Sequence, residues 1–455
     1  MSRKGARAAA AGGARRLAEE VLRDVEAGRG SARDLLDAAL AGRETDPRDR
    51  DLAREIVYGA LRRRSTLDHL LAAHSTRRLP SLHPAVLAAL RAAAYQLLFL
   101  DRVPVPAIVD AAASSARRAC GPRDAGFVNA LLRALSREVS GREDGEGDDV
   151  PRRAVPTGDG RHALLLHERL PDPAKDEALS LAIRFSTPLW LVRRWLARLG
   201  PEKARTVLRA GIARPATRLQ PLPGRERALR ALLVEGDIDF EEDATGLILR
   251  GAGAVEELPG YAEGLFVVQD ATPSRAVALL DAGPGHRVLE IGAGRGGKTA
   301  LLAARAASIV AVDPNGTRLA LLKETMARLG LTNVTTLASD ATEELPDGTF
   351  DRVLVDAPCS NTGVLARRVE ARWRIREADL QPLSGLGRRL LEAGLSRLAP
   401  NGVAIYSVCS LEPEEGPDAV RRALRRFPAL TLAAEEPLLP VPGLRDGGYH
   451  ARIEG

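Results

Sequence analysis

Between residues 265 and 408 the chain passes through six short apolar runs, 265–269, 287–291, 308–313, 334–338, 352–356 and 403–408, with helix-period stretches between most of them. Apolar strands separated by helices cannot pair as hairpins. Each helix carries the chain back so that the next strand lies parallel to the last, and the pattern predicts a parallel, doubly wound sheet. Such a sheet places its ligands at the carboxyl ends of its strands. The residues just after each run are therefore where chemistry is to be sought.

The rest of the 455 residues reads differently. From 15 to 137 the apolar spacing is helical nearly throughout, as in Leu17, Val21, Leu22 and Val25, or Leu52, Ile56, Val57, Ala60 and Leu61. Breaks at Gly28-Arg29-Gly30, Asp46-Pro47, Leu79-Pro80, Val103-Pro104 and Gly121-Pro122 divide this stretch into a compact all-helical bundle, residues 1–139. Residues 140–161 are charged, rich in Gly and Pro and aperiodic, and read as a linker. Helical spacing returns over 178–199 and 202–211. Short β-like runs at 218–222 and 247–249 flank a helix near 226–234, which makes 162–264 a small α/β unit. The fold class expected is multidomain, with an all-α bundle, a small α/β subdomain and a C-terminal α/β Rossmann-like domain over 265–455.

Composition narrows the function classes. Aromatic residues make up 3% of the chain, so the cores must be built from Ala, Leu and Val. The three cysteines, Cys120, Cys359 and Cys409, are too few for a disulfide framework and contain no CxxC pair. The seven His show no HxxxH or HExxH spacing, so no metal is expected. There is no uncharged apolar run of about 18 residues, and the basic N-terminus lacks a continuous apolar core. The reading is a soluble, reducing, cytoplasmic protein. Sixty-six Lys plus Arg against 60 Asp plus Glu is weak support for a nucleic-acid partner.

The first strong motif is Glu290-Ile291-Gly292-Ala293-Gly294-Arg295-Gly296-Gly297-Lys298-Thr299, a strand end, a glycine turn and a helix start. Glycines there let backbone approach a nucleotide-like ligand. The next strand ends in Asp313, where a carboxylate suits a ribose diol, and the third region ends in Ser339-Asp340. Gly292, Gly294 and Gly297 with a later acid also satisfy the dinucleotide fingerprint. Two features favour S-adenosylmethionine: Glu290 inside the strand end suits a cationic amino-acid-bearing ligand, and Asp340 is placed to receive an adenine amino group.

Two of the three thiols then fall at the same edge. The run 352–356 leads into Ala357-Pro358-Cys359-Ser360, and 403–408 leads into Cys409-Ser410. Pyrimidine C5 methylation needs such a thiol, because C5 of cytosine is a poor nucleophile until a thiolate adds to C6. It also needs an acid or hydrogen-bonding group at N3, for which Asp356 is placed. A second thiol can act as base or help expel the first. The residues alone do not order the two. Cys120, in the helical part, reads as core packing.

These motifs resemble the bacterial 16S ribosomal RNA cytosine-C5 methyltransferases, a family with a NusB-like N-terminal domain and a NOP2/NSUN-related catalytic half. The similarity is carried by Val57-Tyr58-Gly59, Tyr95-Gln96-Leu97-Leu98, Gly126-Phe127-Val128-Asn129, Pro188-Leu189-Trp190, Gln269-Asp270, Asp356-Ala357-Pro358-Cys359-Ser360-Asn361-Thr362-Gly363, Arg372-Trp373, Cys409-Ser410 with Glu414-Glu415, and Asp446-Gly447-Gly448-Tyr449. The resemblance implies that Cys409 is the nucleophile and Cys359 the partner promoting product release. It also implies that Asp356 and Lys298 line the base pocket, and that the small α/β subdomain binds RNA. It implies a cofactor site over Glu290 to Lys298 with Asp313, Asp340 and Asp356, S-adenosylmethionine as cofactor, and small-subunit ribosomal RNA as partner of a monomeric chain that needs neither metal nor membrane. The family's turn usually reads D-x-C-A-A-P-G-G-K-T. Here Ala-Pro is replaced by Gly294-Arg295, and Gly416 stands where the family commonly has Asn.

Arginines cluster at 62–64, 117–118, 193–194 and 367–376, the last just after Cys359, where they suit phosphates around a flipped nucleotide. Competing readings are a DNA cytosine or exocyclic-amine methyltransferase, a methyltransferase of transfer or other RNA, a dehydrogenase, and an RNA-binding assembly factor with a degenerate catalytic half.

Overall fold

A computed structural model describes residues 3–42, 46–101, 103–145, 151–250 and 253–455. The chain divides into two compact units, one of Met1–Arg214 with Leu365–Arg374, the other of Pro215–Val364 with Ile375–Gly455. No helix among the described residues is long and apolar enough to cross a membrane.

The first unit is helical where the 3.6-residue spacing predicts it. Its central helix, Pro84–Phe99, is Ala-rich and buried along nearly its whole surface, so neighbouring helices approach on every side. The helix Pro47–Arg62 opens on Asp46, whose side chain accepts from the Arg48 N–H, and presents Gly59 to the ring of Tyr95. A Cβ at Gly59 would occupy that ring. The Tyr95 hydroxyl donates to Glu55 at 2.5 Å. Arg91, 4% exposed, is held by a bidentate pair with Asp68 at 2.7 Å and by Glu26.

The segment read as a linker is in part ordered. Val139–Asp144, Ala154–Pro156 and Arg161–Leu165 form a three-stranded antiparallel sheet; 146–150 lie outside the described residues. The buried Glu138 starts it, accepting from Arg169 through both carboxylate oxygens at 3.0 Å and from His167 at 2.9 Å. Polar composition concealed strands whose burial comes from packing on the helices. The unit boundary at 214/215 falls inside the span read as one α/β subdomain: helices Glu177–Arg184, Leu189–Leu199 and Pro201–Ile212 belong to the first unit.

Leu365–Arg374 crosses into this unit as well. Arg372, fully buried, donates to the carbonyls of Ser186, Gly211 and Leu365 at 2.6 to 3.0 Å, and the Trp373 indole donates to Leu61 at 2.8 Å. These arginines, expected to face phosphates, are here partly structural.

The second unit contains two sheets. A four-stranded antiparallel one pairs Thr217–Pro221 with Gly246–Leu249 and with Phe266–Val268. Phe266–Val268, expected in the parallel sheet, is thus an antiparallel strand of the smaller one. The main sheet has seven strands: β1 (Arg287–Ile291), β2 (Ser308–Val312), β3 (Val334–Leu337), β4 (Phe350–Asp356), β5 (Leu398–Val408), β6 (Thr431–Leu438) and β7 (Gly448–Glu454). Their order is 3-2-1-4-5-7-6. Strands 3-2-1-4-5 are parallel, and β7 runs antiparallel to both β5 and β6. Val288 and Leu289 on β1 enter different apolar clusters, as do Leu354 and Val355 on β4, so both faces are covered. β6 and β7 did not stand out in the sequence: β6 is largely exposed and reads Ala-Ala-Glu-Glu, and β7 interleaves His and Arg with its apolar residues.

Candidate active site at the carboxyl edge of the parallel sheet

In β4 and β5 the register pairs Asp356 with Ser407. Cys359 lies three residues beyond the first and Cys409 two beyond the second, so both chains leave the sheet side by side and bring the thiols together. The Sγ atoms are 3.2 Å apart and both cysteines are partly buried. Asn361 completes the contact from the left-handed region, φ +61°. Its Nδ2 donates to the Cys359 carbonyl at 2.8 Å, and its Oδ1 accepts the Cys409 S–H at 3.3 Å. The carbonyl acceptor determines which end of the amide faces Cys409. With the Cys409 proton directed to Asn361, the Cys359 S–H is left to donate across the pair. That hydrogen bond, then burial, pushes the Cys359 thiol well above the usual range for cysteine.

Beside the thiols, Lys298 Nζ lies 2.5 Å from Asp356 Oδ2, and the Ser407 hydroxyl donates to Asp356 Oδ1 at 3.3 Å. Burial alone would lower the lysine, but the Asp356 carboxylate outweighs it and raises Lys298 above the ordinary value. Lys298 is therefore held as a cation against Asp356 next to the cysteines.

The glycine turn leaves β1 where expected. Gly292 has φ +82° and a Cβ there would strike the Asp356 carbonyl, so the turn can pass the end of β4 only as glycine. Gly294 and Gly296 also have positive φ, and Arg295 between them is exposed. Ile291 and Ala293 are buried, while Gly297 faces the Gln269 side chain. Asp313 is buried and each carboxylate oxygen takes a backbone N–H, Gly294 at 3.0 Å and Asn315 at 2.9 Å. It shapes the turn, leaving one lone pair per oxygen for a ligand. Glu290 is 1% exposed and its Oε2 has no hydrogen-bond partner among the described residues; burial, only partly offset by Thr299, raises its carboxyl to about 7. An unpartnered carboxylate oxygen at this edge calls for a donor.

Asp340 makes local hydrogen bonds of its own. It is exposed on the turn after β3, and its Oδ1 accepts from the Thr342 N–H and hydroxyl at 2.9 and 2.8 Å, which draws its carboxyl below the ordinary value. Sequence reasoning did not single out Asn361 or Ser407 as site residues. The left-handed Asn and the paired Cys-Ser steps, 359–360 and 409–410, were the signals available.

Comparison with known proteins now bears on this arrangement. Residues 277–438 match the family described as 16S rRNA methyltransferase RsmB/F, and 13–137 match the NusB family. A Vibrio cholerae protein named ribosomal RNA small subunit methyltransferase B is 31% identical, covering 90% of this chain and 91% of its own. The chain belongs to the RsmB/F methyltransferase family. A Mycobacterium tuberculosis protein named putative methyltransferase MT1451 is 34% identical over 96% of this chain and 92% of its own. The solved protein PH0851 shares the fold, with a TM-score of 0.75 at 22% identity, covering 97% of this chain and 99% of its own. The NusB-family match coincides with the helical bundle, and the RsmB/F match spans the glycine turn, both rim cysteines and strands β1 to β6. As an RsmB/F methyltransferase, the chain sets aside the dehydrogenase reading.

Proposed function

We propose that this RsmB/F methyltransferase transfers a methyl group from S-adenosylmethionine to C5 of a cytosine in 16S ribosomal RNA, through a covalent adduct between Cys409 and C6. The observation that carries the reading is the 3.2 Å contact between two thiols beside a Lys298–Asp356 pair.

The residues fit the cofactor: Glu290 offers an unpaired carboxylate oxygen to a cationic amino group, and Gly292 to Gly297 leave the turn free of side chains except Ala293 and Arg295. S-adenosylmethionine supplies an electrophilic methyl group. The Cys409 sulfur forms a bond to C6 as its proton passes to the Asp356 carboxylate, which, held by Lys298 and Ser407, hands that proton to N3 as electron density moves there. C5 takes the methyl group from S-adenosylmethionine and then loses its own proton to water, the electron pair re-forms the C5–C6 double bond, the C6–S bond breaks, and N3 returns its proton to Asp356. The Cys359 S–H, already directed at Cys409, supplies the proton that the departing sulfur needs. The target base must leave the helical stack to reach this edge.

Residues 1–139 and 162–264 are proposed to supply RNA contacts, and the chain to act as a cytoplasmic monomer. Incubating the protein with methyl-labelled S-adenosylmethionine and transcribed 16S RNA, followed by nucleoside analysis, tests the reading. Label in 5-methylcytidine is expected; label only in another nucleoside overturns it.

A further inference from the structure

A third element ties the two cysteine loops together, and it involves neither thiol directly. The serine after each cysteine is buried, Ser360 at 2% and Ser410 at 1% exposure. Both converge on one carboxylate, that of Glu415, itself 1% exposed. Glu415 accepts the Ser360 N–H at 2.8 Å, the Ser360 hydroxyl at 2.5 Å and the Ser410 hydroxyl. Each serine thus uses its single hydroxyl proton on the same acceptor. The two Oγ atoms are 3.1 Å apart, and Ser410 Oγ accepts the Glu412 N–H at 3.0 Å. The backbone of Glu415 is pinned in turn, because the buried Tyr406 hydroxyl donates to its carbonyl at 2.8 Å. Further along the loops, the Thr362 hydroxyl accepts the Leu411 N–H at 2.9 Å and the Gly363 N–H donates to the Cys409 carbonyl at 3.0 Å.

We propose that Glu415 is a positioning residue for the thiol pair: its carboxylate sets the spacing of Cys359 and Cys409 by gripping the serine that follows each. For its catalytic consequence the proposal rests on the two-thiol reading above; its geometric part does not. Three donors on one buried acceptor favour an ionised carboxylate against the burial that draws its carboxyl upward, since a carboxylic acid must spend a proton of its own and an amide offers one oxygen only. Gln therefore keeps part of the grip and Ala none. Each sulfur is one residue from a gripped serine, so releasing either serine lets the 3.2 Å contact open. A second thiol can assist departure of the first only while they are adjacent, so the effect falls on turnover rather than on cofactor binding.

The test uses the full chain and the variants Glu415→Gln, Glu415→Ala, Ser360→Ala, Ser410→Ala and the double serine variant, each checked for cooperative thermal unfolding. Two quantities are read: kcat and KM in 16S RNA methylation, and affinity for phenylarsine oxide, whose arsenic bonds both thiols of a close pair with loss of water. Each serine variant is expected to lose about 10-fold in kcat and Glu415→Ala about 100-fold. Glu415→Gln falls between them, with KM for S-adenosylmethionine within about twofold of wild type. Arsenical affinity is expected to fall in the same order. Wild-type kcat and arsenical affinity in folded Glu415→Ala overturn the proposal; if that variant does not fold, the same result in the double serine variant overturns it. If arsenical affinity falls as expected but the wild-type protein methylates no cytosine, the clamp stands and the function reading fails.

Discussion

Two glutamates in this chain expose little surface, Glu138 at 5% and Glu290 at 1%, but Glu290 lies much deeper in the protein, and they sit in different units. Glu138 in the helical unit is met by a bidentate guanidinium and an imidazole, and Arg169 leads in drawing its carboxyl down to about 2. Glu290 in the sheet unit has an oxygen with no partner among the described residues, and burial drives its carboxyl up to about 7. Depth of burial and the groups that meet a carboxylate together decide its charge. At Glu138 both carboxylate oxygens are satisfied, and at Glu290 one is left open at the edge where strands end. A departure from self-sufficiency of that kind marks a place built for something else.

The comparison predicts a ranked set of outcomes. The largest effect belongs to the ion pair beside the thiols: Asp356→Asn removes the partner of Lys298 and the group facing N3, and a loss of about 1,000-fold in kcat is expected. A loss below tenfold would detach Asp356 from the chemistry. Next, Glu290→Gln should weaken S-adenosylmethionine binding by about 10-fold, measured by calorimetry.

The same substitution should behave unusually toward pH. A folded-state value of about 7, raised from the ordinary 4.5, means that stability is fully present below 4.5 and lost as pH rises through 7. Without ligand, Glu290→Gln should therefore gain on wild type at pH 8 relative to pH 4.5; a gap independent of pH breaks the contrast. Glu138 runs the other way. Its value of about 2 against 4.5 gives stability that is present above 4.5 and lost as pH falls towards 2. Glu138→Gln should cost about 1–3 kcal/mol at pH 7 and less near pH 3, read from chemical denaturation.

The smallest effect expected is at Asn361. Asn361→Gly relieves the left-handed backbone but removes the acceptor for the Cys409 S–H, so kcat should fall by about threefold to tenfold with the melting temperature little changed. An unchanged kcat would reduce Asn361 to a turn residue.

What the sequence carried and what it did not follow the same division. The helices of 15–137 were legible because their apolar faces repeat locally, and the parallel strands because apolar runs alternate with helices. Cys359, Cys409, Glu290 and the glycine turn were legible because strand ends place residues at one edge whatever the loops do. The exposed β6, the polar β7 and the antiparallel pairing of Phe266–Val268 were not, since their burial or pairing comes from partners distant in sequence. The Glu415 grip spans 55 residues to Ser360, and the transfer of Leu365–Arg374 to the helical unit places Arg372 on carbonyls of Ser186 and Gly211. No local pattern encodes either. Asp340, placed at a strand end by the same rule, gives one carboxylate oxygen to Thr342.

The central claim is that two adjacent thiols perform opposite steps of one cycle. The most direct measurement incubates Cys409→Ala and Cys359→Ala separately with S-adenosylmethionine and 16S RNA, and resolves protein–RNA adducts on a denaturing gel. The account predicts no adduct and no methylation for Cys409→Ala, and an accumulating adduct for Cys359→Ala. Full methylation by Cys409→Ala would contradict it.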